Sequence, residues 1–169
     1  KKCRAPKILA SPFIMKILCL VRHAKSSWDN HEMRDLDRPL NERGKKNAPR
    51  MGKRLKEKHI TPDVMLSSPA ERAIATCKVI AKALNFSEEK IKIDKRLYHA
   101  NEDQILKVIQ EIKDSPRDSE EVVMIFGHNP GLTEFANLLL NENIINIPTC
   151  GVIYSILKID TWRDARFGC

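Results

Sequence analysis

No stretch of this 169-residue chain approaches the roughly 20 consecutive apolar residues that a membrane-spanning helix needs. The nearest, residues 8–21, is interrupted by Pro12 and Lys16, so a soluble globular protein with no membrane partner is expected. Aromatic residues make up only 5% of the chain and do not interleave with the bases, which removes the stacking platforms of single-strand nucleic-acid binders. The five cysteines, Cys3, Cys19, Cys77, Cys150 and Cys169, share no C-x-x-C spacing and are odd in number. They support neither a zinc site nor a disulfide framework. Cys19 and Cys77 fall at apolar strand and helix positions, as small core residues, and a reducing cytoplasm is the expected location. With no internal repeat and no low-complexity tract, the length is that of one domain with a full core.

The charge is one-sided, +8, but its distribution argues against nucleic acid. Residues 1–16 hold Lys1, Lys2, Arg4, Lys7 and Lys16 and no acid; setting these aside leaves 25 bases against 22 acids. Most of those alternate with acids along helix-like segments, the pattern of a solvated face. The chain opens without Met, and Met15 directly precedes the first apolar strand. Residues 1–14 are therefore expected to lie outside the domain, as an upstream extension or else the basic remnant of an organelle-targeting peptide. A single domain is expected over residues 15–169, stopping abruptly after its last strand and short of a tail.

Apolar and polar periodicity predicts strands at residues 16–21, 64–66, 91–93, 122–126 and 151–159. The last of these alternates, as a half-exposed strand would. Helices are predicted at residues 42–58, capped by Asn41, and at 70–84, 102–113 and 131–140. Pro49 must kink the first helix or fall near its first turn. Strands alternating with helices imply an α/β/α three-layer sandwich around a mostly parallel sheet. Residues 26–39 form a long polar loop, of the kind that covers a pocket.

Three motifs follow strands. Leu20-Val21-Arg22-His23-Ala24 ends the first strand, Ser67-Ser68-Pro69-Ala70-Glu71-Arg72 leads from the second into a helix, and Phe126-Gly127-His128-Asn129-Pro130-Gly131 ends the fourth. Open α/β sheets bind ligands at this edge, outside the carboxyl ends of their strands. Arginine suits a phosphate because its planar fork donates parallel charged hydrogen bonds, and a neutral imidazole can act as a nucleophile. Two Arg and two His converging on one edge would suit a phosphoryl dianion.

In order and spacing these motifs resemble the histidine phosphatase superfamily, with its phosphoglycerate-mutase-like fold, across residues 15–164. The family's Arg-His-Gly reads Arg22-His23-Ala24 here, its Ser-x-x-x-Arg-Ala-x-x-Thr reads Ser68 to Thr76, and its late Gly-His reads Gly127-His128. The short length, the phrase Lys25-Ser26-Ser27-Trp28 and the phrase Asp37-Arg38-Pro39-Leu40-Asn41-Glu42-Arg43-Gly44 are similar to the SixA-type phosphohistidine phosphatases.

The resemblance implies that His23 is the nucleophile, one ring nitrogen held by a backbone carbonyl and the other facing phosphorus. It implies that Arg22 and Arg72 clamp the non-bridging oxygens, and that His128 donates to one of them as an imidazolium. Gly127 would let the backbone approach closely. Lys25, Ser26 and Asn129 are further candidates for substrate contact. No metal or cofactor is expected. His31, His59 and His99 lack motif support and are expected to be solvated or structural, and Trp28 and Trp162 to be packing residues. Glu102 and Asp103 look like helix-start acids, not pocket acids. The absence of a dedicated general acid suits an imidazole leaving group, and so a phosphohistidine on a partner protein as substrate. The alternatives are a phosphatase for a small phosphate ester and a phosphate-binding module that has lost turnover. A monomer is expected.

Overall fold

The computed structural model describes residues 15–115 and 120–169; the expected extension, residues 1–14, lies outside them. Five strands form one sheet in the order β3-β2-β4-β1-β5: β1 is Lys16–Arg22, β2 Val64–Ser67, β3 Lys92–Ile93, β4 Glu121–Gly127 and β5 Val152–Leu157. The pairs β1–β4, β4–β2 and β2–β3 are parallel, and β5 closes the edge antiparallel to β1. Exposure along β5 alternates at its end, with Tyr154 and Ile156 out and Ser155 and Leu157 in.

The period-2 geometry of strands sorts β1 between two cores. Ile17, Cys19 and Val21 face a cluster with Leu55, Cys77 and Ile80, from α1 (Glu42–Glu57) and α2 (Glu71–Ala83). Leu18 and Leu20 face a second cluster with Ile105, Ile109, Leu132 and Phe135, from α3 (Glu102–Gln110) and α4 (Gly131–Leu140). A strand covered on both faces is apolar in its interior, as β1 is from Ile17 to Val21 and β4 from Val122 to Phe126. The result is the expected three-layer α/β fold.

Local chemistry sets the helix limits. The Asn41 side chain accepts from Gly44 N at 2.9 Å, and Asn101 and Gln104 form a reciprocal capping box at α3. Glu102 and Asp103 stand in that first turn, where acids favour the helix dipole. Pro49 lies well inside α1 but on its exposed face, so the ring projects into solvent and not into the core. Trp162 is fully buried, as expected of a packing residue. Lys16, an interruption in the sequence pattern, is 1% exposed. Its Nζ donates to Asp114 and Glu121, both at 2.6 Å, and lies 5.6 Å from the Trp162 ring centre.

Strand register brings the motifs level. Arg22 is paired with Gly127, and Ser67 with Phe126. The chain then leaves the sheet through His23 N to Gly127 O (3.1 Å) and Ser68 N to Phe126 O (2.9 Å). The carboxyl ends of β1, β4 and β2 thus stand side by side.

Candidate active site

His23 and His128 meet at that edge with ring centres 5.0 Å apart. His23 Nδ1 lies 2.7 Å from the carbonyl oxygen of Ala24. A carbonyl only accepts, so Nδ1 carries the proton and Nε2 presents its lone pair, which accepts the long bond from Arg72 Nε. Burial, and after it the Arg72, Arg22 and Arg38 charges, lowers the His23 pKa to about 4, against the opposing pull of the Ala24 carbonyl. The ring is therefore neutral near pH 7. Arg72 Nε approaches Nε2 at 3.4 Å, which puts the guanidinium beside the lone pair. Thr76 fixes the two elements to each other: its Oγ1 accepts from Ala24 N (2.9 Å) and donates to Arg72 O (2.7 Å).

His128 is 5% exposed, and its Nε2 is 2.7 Å from Ser68 Oγ. Ser68 Oγ accepts from Ala70 N at 3.3 Å; with the Ser68 proton given to His128 Nε2, the ring proton is on Nδ1. Burial, then His23 and Arg72, lowers the His128 pKa to about 3. The ring is therefore held neutral by burial and the pocket's own charges; the imidazolium expected of it is the form beside a phosphoryl dianion, whose charge acts in the opposite sense. His128 Nδ1 and Arg22 Nε are buried and without a hydrogen-bond partner among the described residues. Arg22 is anchored at its other end, where Nη1 donates to Ile147 O (2.6 Å) and Asn146 Oδ1 (3.1 Å).

The second-tier residues divide. Asn129 Nδ2 donates to Asn146 Oδ1 (2.8 Å) and Ile147 O (3.2 Å), so Asn129 and Arg22 share an anchor. Ser26 is buried and its Oγ accepts from Arg38 Nη2 at 2.7 Å, a supporting contact. The Lys25 side chain is exposed, while its carbonyl accepts from Asn41 N at 3.0 Å. Gly127 does not act through close approach: a Cβ there would meet the Leu132 side chain at an ordinary 3.5 Å.

Sequence reasoning missed four residues. Asp35, in a short 3₁₀ turn within the 26–39 loop, pairs with Arg72 Nη2 (2.8 Å), accepts from Arg72 Nη1 at its backbone oxygen and pairs with Arg38 Nη1 (2.8 Å). Tyr98 Oη donates to its Oδ2 at 2.8 Å. Burial raises the Asp35 pKa, but hydrogen bonds from Tyr98, Arg72 and Arg38 outweigh that and hold it well below the usual carboxylate range. His99, set aside in the sequence, lies with its Nε2 3.4 Å from Asp35 Oδ2 and its ring centre 5.7 Å from His128. Gly131 is what admits this loop, since a Cβ there would stand 1.9 Å from Ala100 O. Asn146 completes the set. Asp35 lies in the loop expected to cover a pocket, two residues before the Asp37–Gly44 phrase, but nothing local ties its carboxylate to Arg72; Tyr98, His99 and Asn146 sit in no periodic segment and beside no motif. Trp28 is corrected too: it is 61% exposed and lies against the Arg38 guanidinium, whose carbon is 3.2 Å from the ring centre.

Comparison with known proteins places this geometry. Residues 18–104 match the histidine phosphatase superfamily (branch 1). The chain belongs to that superfamily. An uncharacterized chloroplastic protein of Arabidopsis thaliana is 32% identical over 160 residues, which is 92% of this chain and 72% of that protein. The structure of the provisionally assigned phosphohistidine phosphatase SixA from Agrobacterium tumefaciens superposes with a TM-score of 0.72 at 28% identity, covering 84% of this chain and 91% of that one. Phosphoserine phosphatase 1 of Hydrogenobacter thermophilus is 42% identical over 80 residues, 46% of this chain and 36% of that longer protein. The fold is thus phosphoglycerate-mutase-like and the chain a phosphatase of this family. Among the described residues no cluster of His, Cys, Asp and Glu is arranged to hold a metal ion, and no helix is long and apolar enough to cross a membrane.

Proposed function

We propose that this chain removes phosphate from phosphohistidine on a partner protein, through a covalent intermediate on His23 and with no metal. The observation that carries the reading is the state of His23: neutral, its Nδ1 proton committed to Ala24 O, and its Nε2 lone pair beside Arg72 Nε. Such a ring is a nucleophile already in the correct tautomer. Arg22 Nε, Arg72 and His128 Nδ1–H then supply donors for the three phosphoryl oxygens, where charge spreads in a loose transition state.

In the first step His23 Nε2 forms a bond to phosphorus and the phosphorus–nitrogen bond of the substrate breaks. The substrate ring, protonated on its other nitrogen, leaves as neutral imidazole. In the second step water attacks phosphorus, the bond to His23 breaks, and orthophosphate departs. The likeness to the SixA structure, at 28% identity, supports this substrate.

A second reading, phosphate-ester hydrolysis, is favoured by His99, whose imidazole beside Asp35 could supply the proton that an alkoxide needs. The local match to phosphoserine phosphatase 1 points the same way. Turnover in EDTA of a phosphohistidine protein and of phosphoserine, with trapping of labelled enzyme, tests both. Phosphohistidine is expected to be faster, the label acid-labile, base-stable and absent from His23→Ala. Retained turnover in His23→Ala would sink the mechanism. Faster phosphoserine turnover that collapses in His99→Ala would establish the ester reading.

A further inference from the structure

We infer that Asp35 is the positioning residue of the phosphoryl clamp: it grips the outer end of the Arg72 guanidinium and so presents the inner Nε edge to His23 and the phosphoryl group. This rests on the catalytic reading of His23 and Arg72 above, and it assigns a role to the 26–39 loop.

The geometry separates the two edges of Arg72. Nη1 and Nη2 both go to Asp35, one to its backbone oxygen and one to its carboxylate at 2.8 Å, while Nε faces His23 Nε2 at 3.4 Å. A planar guanidinium held end-on in this way cannot rotate about its side chain without breaking both bonds. The inner edge, where Nε reaches His23 Nε2 over a long 3.4 Å, is the one turned toward an incoming phosphoryl oxygen. Asp35 is itself over-determined: Arg38 Nη1 and Tyr98 Oη each lie 2.8 Å from its carboxylate, and Arg38 is fixed in turn by Ser27 O (2.9 Å) and Ser26 Oγ (2.7 Å). The charges also balance in favour of positioning and not blocking. Arg22, Arg38 and Arg72 against one carboxylate leave two positive charges, matched to a phosphoryl dianion.

The test reads Arg72 directly. In ¹⁵N spectra of the full chain, the Arg72 Nε–H signal, assigned by its absence from Arg72→Lys, is expected to be rigid and slow to exchange in the wild type. In Asp35→Asn it should lose both properties, while kcat falls about 10- to 100-fold, the scale of a misplaced catalytic group, and KM moves by less than about threefold. Tyr98→Phe, which deletes one support of Asp35 and no charge, should loosen the same signal to a lesser degree and stands in should Asp35→Asn fail to fold. An Arg72 signal unchanged in the folded variants would overturn the inference. So would an Asp35→Asn enzyme that keeps its kcat and binds orthophosphate more than about tenfold tighter, because Asp35 would then be a plug. If the wild type turned over neither substrate, the proposed function would fall, and the Arg72 signal would still decide the role of Asp35.

Discussion

Strand β1 carries a buried charge cluster at each end, and the two are built on opposite plans. At its start Lys16 meets two carboxylates at 2.6 Å each and an indole face. Two of the ammonium's donors end on carboxylates, and the indole centre lies 5.6 Å from Nζ. At its end Arg38 and Arg72 share the Asp35 carboxylate, Arg22 is held by Asn146 Oδ1 and Ile147 O instead, and Arg22 Nε and His128 Nδ1 are buried with no partner among the described residues. Burial of an unpaired donor costs on the order of 1–3 kcal/mol, and both ends carry one, since Trp162 Nε1 beside Lys16 is also without a partner among the described residues. The sign of the surplus separates the site from the scaffold: Lys16 and its two acids leave one negative charge, whereas Arg22, Arg38 and Arg72 against Asp35 leave two positive ones.

The sharpest way to break this comparison is Lys16→Met. Removing the cation leaves Glu121, 2% exposed, as an uncompensated buried charge. Breaking a buried pair from one side typically costs about 3–5 kcal/mol. Urea unfolding should show a loss of that size, with kcat of the folded fraction unchanged. A loss of activity without a loss of stability would mean that the two ends of the strand are not separable. Removing Glu121 and Lys16 together, with apolar replacements, should recover much of the stability.

The two ends also differ in how they answer to pH. The folded-state pKa values of His23 and His128, about 4 and about 3, lie below the ordinary value of 6.5. Between these values the unfolded chain binds more protons than the folded one, so stability falls as pH falls. From pH 6.5 to about pH 5, where few carboxylates titrate, each ring should remove on the order of 1–2 kcal/mol. Lys16 has the opposite sign: burial lowers its pKa, but the bonds to Asp114 and Glu121 raise it beyond the ordinary value, so its contribution is lost only as pH rises into the alkaline range. Unfolding curves from about pH 7 to 5 should show the loss in the wild type and about half of it in His128→Asn. Stability independent of pH across that window would mean that the imidazoles are solvated.

What the sequence made legible follows from locality. The strands β1, β2 and β4, the four helices and the motifs at the strand ends could be read because each is a contiguous run whose period or order carries the information. Parallel pairing then brings Arg22 and Gly127 level with no further instruction. The contacts that went unread join residues remote in sequence: Asp35 to Arg72 and to Tyr98, Arg22 to Asn146, Lys16 to Asp114 and Glu121. A lysine in an apolar run reads as an interruption until two acids from another part of the chain arrive beside it. His99 was set aside because its neighbours in sequence say nothing of the loop that Gly131 admits against the start of α4. The protonation state of His128 also depends on burial and on the charges around it, none of which is a local property.

The smallest effect concerns the outer rim of the charged end. Trp28 covers the Arg38 guanidinium while staying 61% exposed, and an exposed cation–π contact contributes about 0.5–1 kcal/mol. Trp28→Ala should therefore lower stability by no more than that. Arg38 keeps its bonds to Asp35, Ser26 and Ser27, so the Arg72 clamp should hold and kcat on phosphoserine should change by less than about twofold. With a phosphohistidine protein, the same substitution separates rim from pocket: a rise in KM there, with kcat intact, would place Trp28 under the docked partner. A fall in kcat with both substrates would instead show that the ring sets the Arg38–Asp35–Arg72 chain, and that the charged end is less self-sufficient than the Lys16 cluster at the other end of the strand.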